Sequence, residues 1–294
     1  MEKVKKYIPD KYKGIFCIIL SAFCFALMNT FVRLSGDLPS MQKSFFRNLV
    51  AMLFALVILL RSEGKFQFNR KNLPGLLARS IFGTVGILCN YYAVDHLLLS
   101  DASMLGKLAP FFAIIFSYFI LKEKVTPIQC LAIVVAFCGS LFIIKPGFSS
   151  LGNTFPALIA TLGALGAGIA YTMVRKLSLN GERGPFIVFF FSTFSCLVCL
   201  PYLLLFYHPM TLQQLGFLLL AGLSAAGGQF SVTAAYSNAP AREISVFDYS
   251  QIVFAALFGL ILFGQLPDTL SLVGYLIICS VSVCMFFYNK RQSD

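Results

Sequence analysis

The chain has 294 residues, of which 58% are apolar and only 12% are charged. Soluble globular chains carry about 25% charged residues, and a soluble fold of this size could not bury so many apolar groups. The composition therefore predicts a polytopic membrane protein in a lipid bilayer. The net charge of +11 is spread over short segments between apolar runs, so we expect no nucleic acid as partner.

Apolar runs long enough to cross a bilayer follow one another along the chain. A spanning helix needs about 20 mostly apolar residues, because lipid offers no hydrogen-bond partner to an open backbone. The fold class predicted is an all-α membrane protein with ten transmembrane helices and short tails at 1–13 and 289–294. The ten runs are 14–33, 44–61, 73–93, 101–121, 127–145, 154–174, 185–206, 213–236, 243–263 and 269–288.

Lysine and arginine indicate the orientation of the spans. With ten spans, both termini and the even-numbered gaps share one side, which collects most of the 23 Lys and Arg residues. We therefore expect both termini in the cytoplasm and the chain in the plasma (inner) membrane. Arg33, Arg47 and Arg175 lie near span ends, where we expect them to anchor the helices at the interface.

The two halves of the chain share one register. Val32 and Arg33 recur 142 positions later as Val174 and Arg175, and the span boundaries match at the same offset. This predicts two five-helix repeats, 14–145 and 154–288. An odd number of spans inverts the second repeat, and inverted repeats with a site between them are typical of alternating access. The alternative is two unrelated bundles of similar helices.

Three segments carry a family resemblance. The first half contains FFRNLVA at 45–51 and YYAVDHLLLSDASMLGKLAPFFAIIFSYFILKEKVTP at 91–127, and the second contains AAYSNAPAREISVFDYSQIVFAALFGLILFGQLPD at 234–268. They resemble the EamA-type domains of the drug/metabolite transporter superfamily. The resemblance implies ten helices, transport of small metabolites, and a cavity lined by the first, third and fourth helices of each repeat.

The second half departs from the family pattern at two positions. Glu123 matches the acidic residue that commonly ends the fourth helix of a repeat, whereas Gln265 stands at that place in the second repeat. Pro110 matches the family's mid-helix proline, whereas Ile252 occupies the equivalent position. We therefore expect the ninth span to lack the kink of the fourth.

Asp248 is the strongest candidate for a functional residue. An ionisable group at mid-depth costs about 2.5–3.5 kcal/mol on insertion scales, and aspartate is too short to reach water as lysine can. Ser245, Asp248 and Gln251 share one helical face, which predicts substrate contact, with Asp248 as the proton-coupling candidate. The alternative is a carboxylate near the cytoplasmic interface that pairs with Arg242 or caps a helix.

Lys107 in the fourth span is a second candidate. Facing inward, it would attract a substrate carboxylate or phosphate; otherwise its long stem reaches water at the interface. Its counterpart in the repeat register is Tyr249, next to Asp248, so we expect the two charges on opposite sides of the midplane. Such a separated pair suits a zwitterion such as an amino acid.

Other polar side chains in the spans complete the predicted substrate-binding set. For each of them an interhelical hydrogen bond is an equally good explanation. They are Asn29, Asn90, Tyr91, Tyr171, Gln229 and Tyr236.

No motif for catalysis or for a cofactor is present. The chain contains no GxxxxGK[ST] loop, and the CxxC of Cys196 and Cys199 has no second pair or nearby histidine. We expect no metal, no cofactor and no enzymatic activity. Small residues on the fifth span (Ala132, Ala136, Ser140) allow close helix packing, with a monomer as the default and a homodimer as the alternative.

The sequence predicts a secondary transporter that moves a small polar or amphipathic metabolite, amino-acid-like or related, by alternating access and preferably outward. One alternative is an importer or exchanger of a charged metabolite such as a nucleotide derivative. A remote alternative is an intramembrane lipid-modifying enzyme. That enzyme would need clustered acids, and we expect Asp248 to be the only acid at depth.

Overall fold

The computed structural model describes residues 10–62, 66–122, 126–144, 154–238 and 247–291, and this part of the chain contains helices and no strand. A short 3-10 turn, Arg70–Asn72, precedes the third helix. The helices are α1 (Asp10–Leu34), α2 (Ser40–Arg61), α3 (Leu73–His96), α4 (Leu99–Gly106), α5 (Ala109–Ile120), α6 (Pro127–Ile144), α7 (Thr154–Leu179), α8 (Gly184–Leu205), α9 (Leu212–Asn238), α10 (Ser250–Phe263) and α11 (Thr269–Arg291).

Seven helical segments in the described residues are long and apolar enough to cross a membrane. They are α1, α2, α3, α7, α8, α9 and the stretch Leu99–Ile120, which contains α4 and α5. Three further apolar helical stretches are shorter: Cys130–Ile143, Ser250–Phe263 and Thr269–Met285. Large apolar side chains lie on the outside, with Leu204 and Leu205 each 75% exposed, as suits contact with acyl chains.

Helices of the first half pack mainly on helices of the second. When the halves are exchanged, the largest of these pairings convert into one another or into themselves. Two pairs match a helix with its own counterpart, α2 with α8 and α6 with α11, and α4 packs on α10 where the fourth span meets the ninth. The other pairings exchange in twos. The α1–α9 pairing corresponds to α3–α7, the α2–α9 pairing to α3–α8, and the α5–α7 pairing to α1–α10.

The fourth predicted span is broken in its middle. α4 ends at Gly106, Lys107 and Leu108 form a turn, and α5 begins at Ala109 with Pro110 in its first turn. Proline lacks the N–H that would continue the helix and is favoured where a helix begins. The break therefore has a local cause in the sequence.

The ninth predicted span is broken at the corresponding position, so the expectation of an unkinked helix is wrong. A turn at Tyr249 separates the helical residues Phe247 and Asp248 from α10, although Ile252 stands where the first half has proline. The freed carbonyl of Phe247 accepts a hydrogen bond from Ser250 Oγ at 2.8 Å. A broken helix is tolerated at membrane depth where such partners satisfy its backbone.

Glycine and alanine bring the halves into backbone contact. On the α3–α7 interface, a Cβ at Gly86 would lie 3.2 Å from the carbonyl oxygen of Gly163. On the α6–α11 interface, a Cβ at Gly274 would lie 2.8 Å from the carbonyl oxygen of Gly139. The small residues predicted on the fifth span lie on α6, where Ala136 is fully buried. Packing within one chain thus accounts for this stripe.

Candidate functional site

A cavity of about 130 Å³ lies between the two halves. Its apolar wall is formed by side chains such as Phe25, Met28, Ile87 and Phe191, together with several alanines and glycines. Pockets of this composition, apolar with a few placed polar groups, are typical of ligand sites. The polar residues that line it are Asn29, Arg47, Arg79, Asn90, Ser103, Lys107, Tyr171, Gln229, Asp248 and Gln251.

Lys107 and Asp248 form an ion pair on the cavity wall. Lys107 Nζ donates to Asp248 Oδ2 at 2.7 Å and to Gln251 Oε1 at 2.6 Å. Lys107 is 5% exposed, so its side chain lies inside the bundle and does not reach for water at the interface. The pair also gives Asp248 a partner other than Arg242, which lies outside the described residues, as does Ser245.

The expected separation of these two charges across the midplane is wrong. The two breaks meet, because Tyr249 Oη donates to the carbonyl oxygen of Lys107 at 3.2 Å. Tyr249 is the counterpart of Lys107 in the repeat register, and the long lysine stem reaches Asp248, the residue next to Tyr249. A buried charge needs a close partner of opposite sign. The separated-pair basis for a zwitterionic substrate therefore fails.

Amide side chains on the cavity wall link neighbouring helices. Asn90 Nδ2 on α3 donates to Asn29 Oδ1 on α1 at 3.0 Å, and both residues line the cavity. Gln229 on α9 accepts from Arg47 Nη2 at 3.5 Å. These amides hold neighbouring helices together and also present polar atoms to the cavity.

Of the predicted tyrosines, only Tyr171 lines the cavity. Its ring stacks on that of Tyr236, with centroids 4.9 Å apart and planes inclined by 16°. Tyr236 packs behind Tyr171 and is 2% exposed, and Tyr91 is fully buried in the core. The structure therefore does not place Tyr91 and Tyr236 on the wall, because neighbouring helices cover them.

Arg47 is a residue of the cavity and not an interface anchor. It is 1% exposed, lines the cavity, and its guanidinium carbon lies 5.8 Å from the centroid of the Phe191 ring. The other two predicted anchors are only partly buried. Arg33 donates to the Leu97 carbonyl at 2.9 Å, and Arg175 donates to the Ser237 carbonyl at 3.4 Å. They tie neighbouring helix ends together.

Sequence reasoning misses Arg79, which lies on α3 and is 3% exposed. Its guanidinium carbon lies 4.0 Å from the Phe191 centroid. Arg79 follows a basic segment, so it is counted among the Lys and Arg residues that indicate the orientation of the spans. Its position inside an apolar run is the signal that could have identified it. A cation inside a membrane span costs free energy, so a functional role is the first hypothesis for it.

Besides Asp248, two carboxylates near span ends pair with buried groups in the described residues. Asp101 on α4 is 7% exposed and accepts from Tyr275 Oη at 2.6 Å. Asp95 near the end of α3 pairs with the fully buried Lys43, Oδ1 to Nζ at 2.6 Å. Across the residues that the structure describes, no three His, Cys, Asp or Glu side chains are grouped to hold a metal ion.

Comparison with known proteins agrees with this architecture. The model of the EamA-like transporter family matches the chain twice, at residues 12–145 and 154–287. A solved crystal structure superposes with a TM-score of 0.71 at 13% identity and covers 96% of this chain and 99% of its own. At that identity the likeness shows the fold alone.

Two relatives carry names that refer to transport or solute carriers. The pseudopaline exporter CntI of Pseudomonas aeruginosa is 32% identical over 274 residues, which is 92% of this chain and 95% of that protein. Solute carrier family 35 member G1 of Homo sapiens is 26% identical over 305 residues, which is 99% of this chain and 84% of that protein. With its duplicated domain and apolar helices, this chain belongs to the EamA-like transporter family and is a multi-pass membrane transport protein.

Proposed function

We propose that this protein is a secondary transporter whose ten spans form two inverted five-helix repeats, 14–145 and 154–288. It carries a small polar or amphipathic metabolite through the cavity by alternating access. The observation that carries the proposal is the cavity with its few polar groups at the meeting point of two broken helices, where Tyr249 bonds to the backbone of Lys107. Discontinuous helices at the repeat interface are where secondary transporters bind their substrates.

The helix pairings support the inverted arrangement. The largest contacts between the halves have counterparts when the halves are exchanged. With five spans in each repeat, corresponding helices run in opposite directions across the bilayer. A two-fold axis in the membrane plane relates such halves, and rocking one against the other opens the central cavity to each side in turn.

Outward transport across the plasma (inner) membrane, with both termini in the cytoplasm, is the preferred direction. The distribution of Lys and Arg supports this topology, and the name of one relative as an exporter supports the direction. The second candidate is import or exchange of a charged metabolite, which the excess of cations on the cavity wall favours. Flux of labelled substrates into and out of sided vesicles separates the two directions.

Asp248 is the proton-coupling candidate in this mechanism, with Lys107 and Gln251 as its partners. Protonating the carboxylate removes the charge that holds Lys107 at 2.7 Å. The ion pair then weakens, and the two breaks that it links are free to separate. Substrate binding and proton uptake thereby act on the same contact between the halves.

Replacing Asp248 with asparagine is expected to lower substrate flux by about tenfold or more, or to flatten its dependence on pH, since asparagine neither ionises nor neutralises Lys107. The measurement is counterflow in proteoliposomes with a panel of labelled amino acids, dicarboxylates and nucleotides. Asp101→Asn is the matched control, because it keeps an acceptor for Tyr275 and Asp101 lies outside the cavity lining. Unchanged flux and pH profile in Asp248→Asn would remove Asp248 from the mechanism. Absence of saturable flux across the panel would contradict the proposed function.

A further inference from the structure

Arg79 is a buried cation without a hydrogen-bond partner in the described part of the chain. It is 3% exposed, its Nε is among the buried polar atoms with no partner, and it lines the cavity. Arginine stays protonated in proteins. A buried charge without a counter-ion is costly, so this guanidinium needs an anion that the described protein does not supply.

Gly83 makes the position of Arg79 possible. It lies one turn further along α3, and a Cβ there would overlap Arg79 Nη1 and would lie 2.9 Å from Phe191 Cε2. The missing side chain leaves the space in which the guanidinium lies over the Phe191 ring. Any larger residue at this position would move the charge without removing it.

Arg47 approaches the same ring as Arg79. The two guanidinium carbons lie 5.8 Å and 4.0 Å from the Phe191 centroid. Arg47 donates to Asn48 Oδ1 and, at 3.5 Å, to Gln229 Oε1, while its Nε has no partner. The amide oxygens are neutral acceptors and cannot balance a full charge. Two like charges thus share one aromatic platform beside the cavity.

The charges on the cavity wall do not balance. Among the described residues that line it, the cations are Arg47, Arg79 and Lys107, and the only acid is Asp248. Asp248 is already held by Lys107 at 2.7 Å. The two arginines therefore remain as an excess of positive charge facing the space that a substrate would fill.

We propose that the cavity selects small metabolites with two negative charges, whose carboxylate or phosphate oxygens bind to Arg47 and Arg79. This rests on the proposed transport function and narrows its substrate class. Guanidinium groups bind both kinds of oxyanion in a bidentate manner. The cavity volume of about 130 Å³ suits a compact molecule, and apolar groups such as Phe25 and Ile87 lie against its carbon skeleton.

The test is the melting temperature of detergent-purified protein with added ligands, because a ligand that binds the folded state stabilises it. Succinate and glycerol 3-phosphate are the dianionic probes, over about 0.1–10 mM, a range that covers the upper part of typical KM values and extends above them. Succinamide, glycerol and putrescine are the neutral and cationic controls, and sodium chloride matches the ionic strength. We expect at least one dianion to raise the melting temperature and the controls to leave it unchanged. The choice between succinate and glycerol 3-phosphate separates carboxylate from phosphate recognition.

Three variants locate the binding site. Arg79→Gln should lower the affinity for the dianion by about tenfold or more, the loss expected for a charge-assisted bidentate contact. Gly83→Ala should weaken it as well while keeping the charge, because the guanidinium is displaced. Arg175→Gln removes a cation that does not line the cavity and should leave binding unchanged.

No stabilisation by either dianion, or equal stabilisation by succinamide or putrescine, would overturn the dianion assignment. Undiminished dianion binding in both Arg79→Gln and Gly83→Ala would also overturn it. Saturable flux of a neutral or cationic metabolite without dianion binding would refute the substrate class and leave the transport function standing. Dianion binding without flux of any metabolite would contradict the transport function and leave the anion site standing.

Discussion

Lys107→Met is expected to abolish transport and to lower the free energy of unfolding by about 3–5 kcal/mol, the usual effect of removing one partner of a buried ion pair. The lysine is 5% exposed, and its loss leaves the Asp248 carboxylate and the Gln251 amide oxygen without their donor. The measurements are thermal or denaturant unfolding in detergent and counterflow in proteoliposomes.

A charge-neutral double variant separates the ion pair from simple packing. Lys107→Met combined with Asp248→Asn removes both charges, so stability should return toward that of the unaltered protein while transport stays impaired. Lys176→Met is the control for loss of a lysine, because Lys176 is exposed at the end of α7. Equal stability of Lys107→Met and the unaltered protein would show that the pair contributes nothing to the fold.

Loss of Lys107 disturbs the site whatever the charge of the substrate, because the lysine is bound to Asp248. A Lys107 variant therefore does not distinguish anion transport from cation transport. Arg47 and Arg79, which lack an acidic partner in the described residues, are the positions that make this distinction.

Gly168→Ala should destabilise the protein by about 1–3 kcal/mol, the typical cost of overpacking a close contact. A Cβ at this position on α7 would lie 2.5 Å from Phe112 Cβ and 2.8 Å from the Ala109 carbonyl oxygen. Backbone atoms cannot rotate away, so α5 must shift, and α5 begins directly after the Lys107 turn. Lower flux should accompany the loss of stability.

Gly216→Ala on α9 is the matched control for this substitution. No atom lies within 4 Å of a Cβ placed at Gly216, and alanine favours a helix by about 1 kcal/mol over glycine. This variant should be as stable as the unaltered protein or more stable. Equal losses in the two variants would show that glycine matters here for some reason other than close packing.

The positions of most helices follow from hydrophobicity. The predicted run 44–61 lies within α2 (Ser40–Arg61), and 185–206 nearly coincides with α8 (Gly184–Leu205). A membrane span requires above all a sufficient length of apolar residues, and this length can be read from a single sequence. The break before α5 is also visible in the sequence, because Pro110 cannot donate a helical hydrogen bond.

The contacts that build the site are not local, and here the predictions fail. Lys107 and Asp248 are 141 residues apart, and a repeat register shows that their positions correspond but not that they touch. Contact arises because α4 packs on α10 and brings the two breaks together, which no helix period or composition reveals.

The cavity arginines are missed for a different reason. Orientation rules count Lys and Arg near span ends without asking whether the side chain points to water or inward. Arg47 and Arg79 lie close enough to span ends to be counted in this way, yet they are 1% and 3% exposed. Whether such a side chain points to water or inward depends on the packing of the neighbouring helices.

Thiol accessibility from both sides of the membrane tests the central claim of alternating access most directly. The background is a variant with all nine cysteines replaced, into which Ala167→Cys introduces one thiol on the cavity wall. The reagent is a membrane-impermeant anionic methanethiosulfonate, applied to right-side-out and to inside-out vesicles. Leu131→Cys on α6 is the control that neither side should label, because its side chain is 63% exposed on the outer surface of the helices, where we expect lipid to cover it. We predict that Cys at position 167 is labelled from both sides, and labelling from one side only, under every condition, would contradict a cavity that opens alternately.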